Sequence, residues 1–135
     1  MGANAVSVTG FEEFGAQPHT VGRGRVAEDA AAAWLEGHSY RIVERNHRNA
    51  AGELDVVAED GEVLCFVEVK ARTETLFGPA LASVGPRKRR RVARAAALYL
   101  ALRGIQPACR FDVLGMEAEE GSWHFTLVKD AFRVE

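Results

Sequence analysis

Val63-Leu64-Cys65-Phe66-Val67-Glu68-Val69-Lys70 decides how this chain is read. Five apolar residues run without a break, which is the pattern of a strand covered on both faces by other elements. Then an acid and a base intrude, two residues apart. Alternation puts Glu68 and Lys70 on the same face as Leu64 and Phe66. Moving an ionised carboxylate into a protein interior costs several kcal/mol unless something compensates it, while an ion pair between exposed neighbours returns only ~0.2–1 kcal/mol. A simple surface pair therefore explains the placement poorly.

The anomaly repeats one strand earlier. Glu53 to Ala58 reads as a strand in which Asp55 stands among Leu54, Val56 and Val57, although aspartate is a poor strand former. Asp60-Gly61 is a hairpin turn signal, and folding the two strands about it brings Asp55 close to facing Glu68. Two adjacent carboxylates repel, so one must hold a proton unless a cation sits between them. Mg²⁺ or Mn²⁺ suits such a pair, because a hard divalent ion takes one or two carboxylates and fills its other positions with water and phosphate oxygens. Lys70, one step along the same face, is placed to stabilise charge developing on a phosphate.

Working outward, Gly22 to Glu36 reads as a helix with Ala27, Ala30, Ala31 and Trp34 at helical spacing and Gly37 at its end. Tyr40 to His47 reads as a strand, followed by the turn Asn49 to Gly52. Beyond Lys70, a loop with Gly78-Pro79 leads to a second helix, Val84 to Leu102, with Ser83 as its N-cap, Pro86 in the first turn and Gly104 after the end. Cys109 to Met116 and Trp123 to Val128 complete the strands. The order is α-β-β-β-α-β-β, an α/β domain with a mixed central sheet flanked by helices. It spans residues 21–135, with residues 1–20 as a flexible N-terminal extension that lacks any hydrophobic period.

With 135 residues, 47% hydrophobic and 27% charged, the composition is that of one ordinary globular domain. No apolar run reaches the ~18 residues of a membrane span and no secretory leader is evident, so the expected location is the cytoplasm, without a membrane partner. Cys65 and Cys109 each lie in apolar runs and read as buried thiols, with a single disulfide left open. The net charge of −2 is unevenly spread: no acid occurs between Glu74 and Asp112, where Arg87, Lys88, Arg89, Arg90, Arg91, Arg94, Arg103 and Arg110 stand. Arginine's planar fork binds phosphate through two parallel hydrogen bonds. Lys88 continues the line of Val92, Ala95 and Tyr99 toward the sheet, whereas Arg87, Arg90, Arg91 and Arg94 splay toward solvent. A solvated helix face is the competing reading of this stretch.

Four strings in order carry a resemblance: Glu44-Arg45-Asn46-His47-Arg48, Gly52-Glu53-Leu54-Asp55, Phe66-Val67-Glu68-Val69-Lys70-Ala71-Arg72 and Arg110-Phe111-Asp112-Val113. With the helix bearing Glu28 before them, they resemble the PD-(D/E)XK nuclease superfamily, and more closely its YraN family, small bacterial proteins akin to Holliday-junction resolvases. The resemblance covers roughly Gly22 to Phe132. It implies a restriction-endonuclease-like fold and Mg²⁺- or Mn²⁺-dependent cleavage of DNA, with branched or single-stranded forms as substrates and a homodimer acting on two strands. Carried over by position, Asp55 and Glu68 match the metal ligands, Lys70 the catalytic lysine and Glu28 the helical glutamate of the metal site. Glu28, Ala31 and Leu35 also share one helix face, which lets Glu28 turn toward the sheet. Arg48, Arg72, Arg87, Lys88, Arg90, Arg91 and Arg94 are the expected nucleic-acid contacts. The alternatives are a non-catalytic nucleic-acid-binding module on the same fold, and an interaction protein whose acidic and basic surfaces pair in an oligomer.

Overall fold

A computed structural model describes residues 6–13, 23–72 and 84–133. Its elements are β1 (Val6–Glu13), α1 (Arg23–Gly37), β2 (Tyr40–Asn49), β3 (Gly52–Asp60), β4 (Val63–Arg72), α2 (Pro86–Arg103), β5 (Cys109–Glu119) and β6 (Ser122–Phe132). The six strands form one sheet in the order β1-β6-β5-β4-β3-β2. Every neighbouring pair is antiparallel except β4 and β5. A parallel pair needs a crossover, and α2 lies within it. The fold is α/β with a mixed sheet, and from α1 onward its element order is the expected one.

The double-sided character of β4 follows from its position inside the sheet. Cys65 and Val67 join one core with Ala31, Trp34 and Leu35 of α1. Leu64 and Phe66 join the other with Val92, Ala95, Ala96 and Tyr99 of α2. Those four helix positions repeat at three- and four-residue spacing and are the buried stripe of α2. Burying one aliphatic or aromatic side chain of this kind is worth about 1.5–3 kcal/mol.

The boundaries moved where caps and pairing, rather than hydrophobic period, set them. α2 begins at Pro86 behind Gly85, whose extended backbone makes no side-chain cap, so Val84 lies outside the helix; Ser83 falls outside the described residues, as does Gly78-Pro79. Pro86 suits the first helical position because its missing N–H would be unpaired there anyway. Gly104 ends the helix in the left-handed region, at φ 64 and ψ 35, where a residue without Cβ is at ease. β5 and β6 run several residues beyond their apolar centres because they pair along most of their length. The extension read over residues 1–20 contains β1, which pairs with β6 from Val6 against Lys129 to Glu13 against Ser122. Backbone pairing to a neighbour defines that strand, and no apolar period announces it.

The cysteines divide. Cys65 is buried and Cys109 is exposed, and both are free thiols. This corrects the expectation of two buried thiols: Cys109 is the first residue of β5, at the margin of the sheet.

Candidate active site

The β3–β4 hairpin turns at Gly61 and Glu62, since Asp60 pairs with Val63. The ladder runs back through Ala58 against Cys65 and Val57 against Phe66 to Val56 against Val67. Continued one step beyond the paired residues, this register sets Asp55 against Glu68, and the charge of one acts on the other. Cross-strand neighbours have Cβ atoms about 4.5–5.5 Å apart, so the two acids are brought together as the turn implied. Asp55 is fixed by its own neighbour: its Oδ2 accepts the Val69 backbone N–H at 2.9 Å. Glu68 is 2% exposed, and its Oε1 accepts from Lys88 Nζ at 3.0 Å.

The electrostatics confirm how crowded this corner is. Burial raises the pKa of Asp55, against the Val69 hydrogen bond and the nearby Lys88 charge. Burial also raises Glu68, and the charge on Asp55 raises it further. Lys70 moves the other way: burial and the adjoining Lys88 ammonium push it below the usual lysine range. For Lys88 burial works against its charge, but hydrogen bonds with Lys70 and Glu68 outweigh it and its pKa rises. Asp55, Glu68, Lys70 and Lys88 therefore form one interacting cluster.

Two hollows open onto this cluster. A cleft of about 580 Å³ on the α2 side has Asp55 and Glu68 in its wall, with Arg48, Glu53, Lys88 and Arg91 around them. A smaller hollow of about 170 Å³ on the α1 side is lined by Glu28, Arg45, Asn46 and Asp55 together with apolar side chains. Asp55 borders both. Glu28 thus reaches the α1 side of Asp55, where Asn46 Nδ2 donates to its Oε1 at 3.3 Å. Asn46 holds a left-handed backbone, φ 54, a conformation asparagine tolerates better than most residues.

Among the described residues, no three His, Cys, Asp or Glu side chains converge on one point. The expected trio of metal ligands is therefore not assembled: Asn46 holds Glu28 on the α1 side, and Lys88 holds Glu68 on the α2 side. The donor set that does face itself is Asp55 with Glu68, two hard oxygen ligands whose charges are mutually costly. That set fits a divalent ion that takes two carboxylates and completes its shell with water and substrate oxygens.

The expected nucleic-acid residues separate into groups. Arg87, Arg90, Arg91 and Arg94 are exposed along α2, and Arg91 also borders the cleft. Arg48 is exposed at the cleft, with its Nε 3.7 Å from Glu53 Oε2. The backbone of Arg72 pairs with Glu117, while its side chain lies outside the described residues. The ammonium of Lys88 is bonded to Glu68 at 3.0 Å, so this residue joins the basic face to the acid cluster. The remaining arginines of the stretch are structural. Arg89 donates to the Val84 carbonyl at 3.0 Å, and Arg103 stacks on Tyr99 at 3.7 Å and bonds Glu44 at 2.8 Å.

A second cluster of buried polar residues is built on Asp112, whose place beside Arg110 at the start of an apolar strand reads as a satisfied strand-end carboxylate; its distant partners are not legible in the sequence. Asp112, fully buried, accepts from Tyr40 Oη at 2.8 Å, from Arg110 Nε at 2.8 Å and Nη2 at 3.0 Å, and from the Asp130 N–H at 2.9 Å. Arg110 Nη2 and Lys129 Nζ also donate to Asp60 Oδ2, at 2.9 and 3.0 Å. Every contact here is internal, so the cluster ties β2, β3, β5 and β6 together. The only signal for it in the sequence is the pair of charges, Arg110 and Asp112, set at the start of an apolar strand.

Among the described residues no helix is long and apolar enough to cross a membrane. The model of the Uncharacterised protein family UPF0102 matches residues 27–116, a span that holds Asp55, Glu68, Lys70, Lys88 and Asp112. Proteins carrying the family name are similar over most of their length. One from Chlorobium chlorochromatii is 44% identical over 83% of this chain and 92% of its own. One from Moorella thermoacetica is 44% identical over 82% and 94%, and one from Symbiobacterium thermophilum is 45% identical over 81% and 94%. This chain belongs to the uncharacterised protein family UPF0102, the YraN family whose strings its hairpin and helices carry.

Proposed function

We propose that this protein is a Mg²⁺- or Mn²⁺-dependent endonuclease that hydrolyses phosphodiester bonds in DNA, with branched or single-stranded forms as its preferred substrates. The observation that carries the reading is the pair Asp55 and Glu68: two facing carboxylates, both with raised pKa, bordering an open cleft with one lysine ammonium bonded between them and solvent. A protein gains no stability from this placement. Carboxylates with raised pKa in a cleft are where acid, base and metal chemistry is found.

Asp55 and Glu68 would hold the ion, which supplies Lewis-acid polarisation of the phosphoryl oxygen and a hydroxide-like water at neutral pH. The chain's own residues do the rest. The Val69 N–H orients Asp55 so that its second oxygen remains available. Lys70, in the same interacting cluster as the acids, is placed to stabilise charge at the reacting phosphate. Arg48 and Arg91 at the cleft would grip flanking phosphates.

The basic face of α2 supports the polyanion. Arg87, Lys88, Arg89 and Arg90 occupy the first turns with no acid among them. Helix macrodipoles disfavour cations at that end by ~0.3–1 kcal/mol each; Arg89 and Lys88 have protein partners in the Val84 carbonyl and Glu68, whereas Arg87 and Arg90 are exposed and placed to meet phosphates. If about five phosphates are neutralised, the logarithm of affinity should fall against that of salt with a slope near −4 to −5. A slope near zero would remove the nucleic-acid reading.

The test is a panel of linear, branched and single-stranded DNA incubated with Mg²⁺ or Mn²⁺. We expect cleavage by the wild type, and loss of cleavage with DNA binding retained for Asp55→Ala and for Glu68→Ala. One observation favours a second reading, a non-catalytic nucleic-acid-binding module: Lys88 compensates Glu68 without any metal. Salt-dependent DNA binding with no cleavage of any substrate in the panel would select it.

A further inference from the structure

Glu68 is a buried acid held by one ammonium, and that ammonium does not come from the hairpin. It comes from α2, on the side chain of Lys88, one-third exposed while its partner is 3% exposed. Such a pair is asymmetric. Glu68 is fixed on a strand in the cleft wall and is almost wholly buried, whereas a lysine side chain has four rotatable carbon–carbon bonds and an open cleft in front of it. Only Lys88 can leave.

Its surroundings say where it would go. Lys88 begins a helical row that is basic toward the cleft, with Arg91 one turn along and also bordering it. Lys70 lies near enough to Lys88 for their charges to act on each other. A lysine released from Glu68 would therefore move from one positive neighbourhood toward solvent, a position that improves once a phosphate oxygen arrives. Meanwhile the Lys88 ammonium on Oε1 of Glu68 repels an incoming divalent ion and draws charge from the oxygens that would bind it.

We propose that Lys88 is a built-in counter-ion of the site, which occupies Glu68 until a divalent cation displaces it and which then turns to the phosphate backbone of the bound strand. The inference rests on the metal reading of Asp55 and Glu68 and adds a competition to it. Lys88 lowers the affinity of the free protein for metal, and a bound strand relieves that penalty by drawing Lys88 away. Metal and nucleic acid then load the site cooperatively, since coupling between two ligands is reciprocal.

The experiment is calorimetric titration of Mn²⁺ into the full chain, as wild type, Lys88→Gln and Lys88→Arg, each also titrated onto a DNA strand. Removing the competitor should tighten Mn²⁺ binding by Lys88→Gln about 5-fold or more, the lower range of coupling between linked sites. The same variant should bind DNA more weakly. Lys88→Arg retains charge and reach, and should bind Mn²⁺ no more tightly than wild type. It also keeps the question decidable should the glutamine variant fold poorly, because tighter Mn²⁺ binding by Lys88→Arg would overturn the proposal. Equal or weaker Mn²⁺ binding by a folded Lys88→Gln overturns it too, leaving the metal site in place. Absence of Mn²⁺ binding by wild type and variants alike overturns the metal reading itself, and the competition with it.

Discussion

Asp112 and Glu68 are both buried acids on neighbouring strands, and the molecule surrounds them in opposite ways. Around Asp112, both oxygens are met twice, by a guanidinium, a phenol and a backbone N–H. Glu68 is hydrogen-bonded by one lysine, with a second lysine charge nearby and another carboxylate beside it. A carboxylate answered on every lone pair is a fastener. One that is answered once, beside a like charge and an open cleft, is left ready for something else. Burial alone would have ranked the two together, so it is the count and origin of partners that separates structure from chemistry here.

The largest expected effect lies on the fastened side. Asp112→Ala removes the acceptor for Arg110, Tyr40 and the Asp130 N–H in one step, and breaking a buried ion pair by deleting one partner costs about 3–5 kcal/mol. Glu68→Gln should change stability by less than about 1 kcal/mol, since the amide oxygen still accepts from Lys88 and a poorly compensated charge is gone. Urea unfolding midpoints of the two variants decide it. Equal, large losses would mean that Glu68 is a fastener as well.

Acid titration offers a second contrast because the shifts have opposite sign. Asp60 is held below its usual value, first by the Arg110 hydrogen bond. Its contribution is present above the unfolded carboxylate pKa of about 4 and is lost as pH falls through the lower folded value. Asp55 and Glu68 are raised by burial. For them the stabilising, protonated form is complete below about pH 4 and is lost as pH rises through their raised values. The metal-free protein should therefore gain stability as pH drops from neutrality and lose it again below about pH 4. In an Asp55→Asn/Glu68→Gln variant the gain should vanish while the loss persists. Unfolding free energies measured across pH 3–8 would show whether one limb can be removed without the other.

How much of this contrast was legible in the sequence depends on range. The hairpin was, because Asp60-Gly61 and the alternation of β4 are local signals, and shifting the turn to Gly61-Glu62 only improved the facing of Asp55 and Glu68. The inward line of Lys88 was also legible from helical spacing. Its bond to Glu68 was not, since it depends on how α2 rotates over the sheet through Val92, Ala95 and Tyr99. The Asp112 cluster joins residues 72 apart in Tyr40 and Asp112, and nothing local marks a phenol as the partner of a distant acid. Glu28 shows the same limit. Its helix face brings it to the same hollow as Asp55, yet its side chain stays exposed and meets Asn46, whose left-handed backbone in β2 no helical spacing reveals.

The smallest effect separates two lysines that look alike. Lys129 and Lys88 each sit 3.0 Å from a carboxylate oxygen, with side-chain exposures of 28% and 33%. Exposure and distance would assign them equal worth. Their acids differ: Asp60 keeps Arg110 when Lys129 is lost, whereas Glu68 keeps nothing of opposite charge at hydrogen-bond distance among the described residues. Lys129→Gln should therefore cost no more than the ~0.2–1 kcal/mol of an ordinary half-exposed pair. Lys88→Gln should cost roughly 1–3 kcal/mol, the penalty for leaving a buried group unanswered. Adding Mn²⁺ should restore most of the second loss and none of the first. Thermal unfolding of both variants with and without Mn²⁺ measures this directly, and equal losses insensitive to metal would mean that the two acid clusters are built for the same purpose.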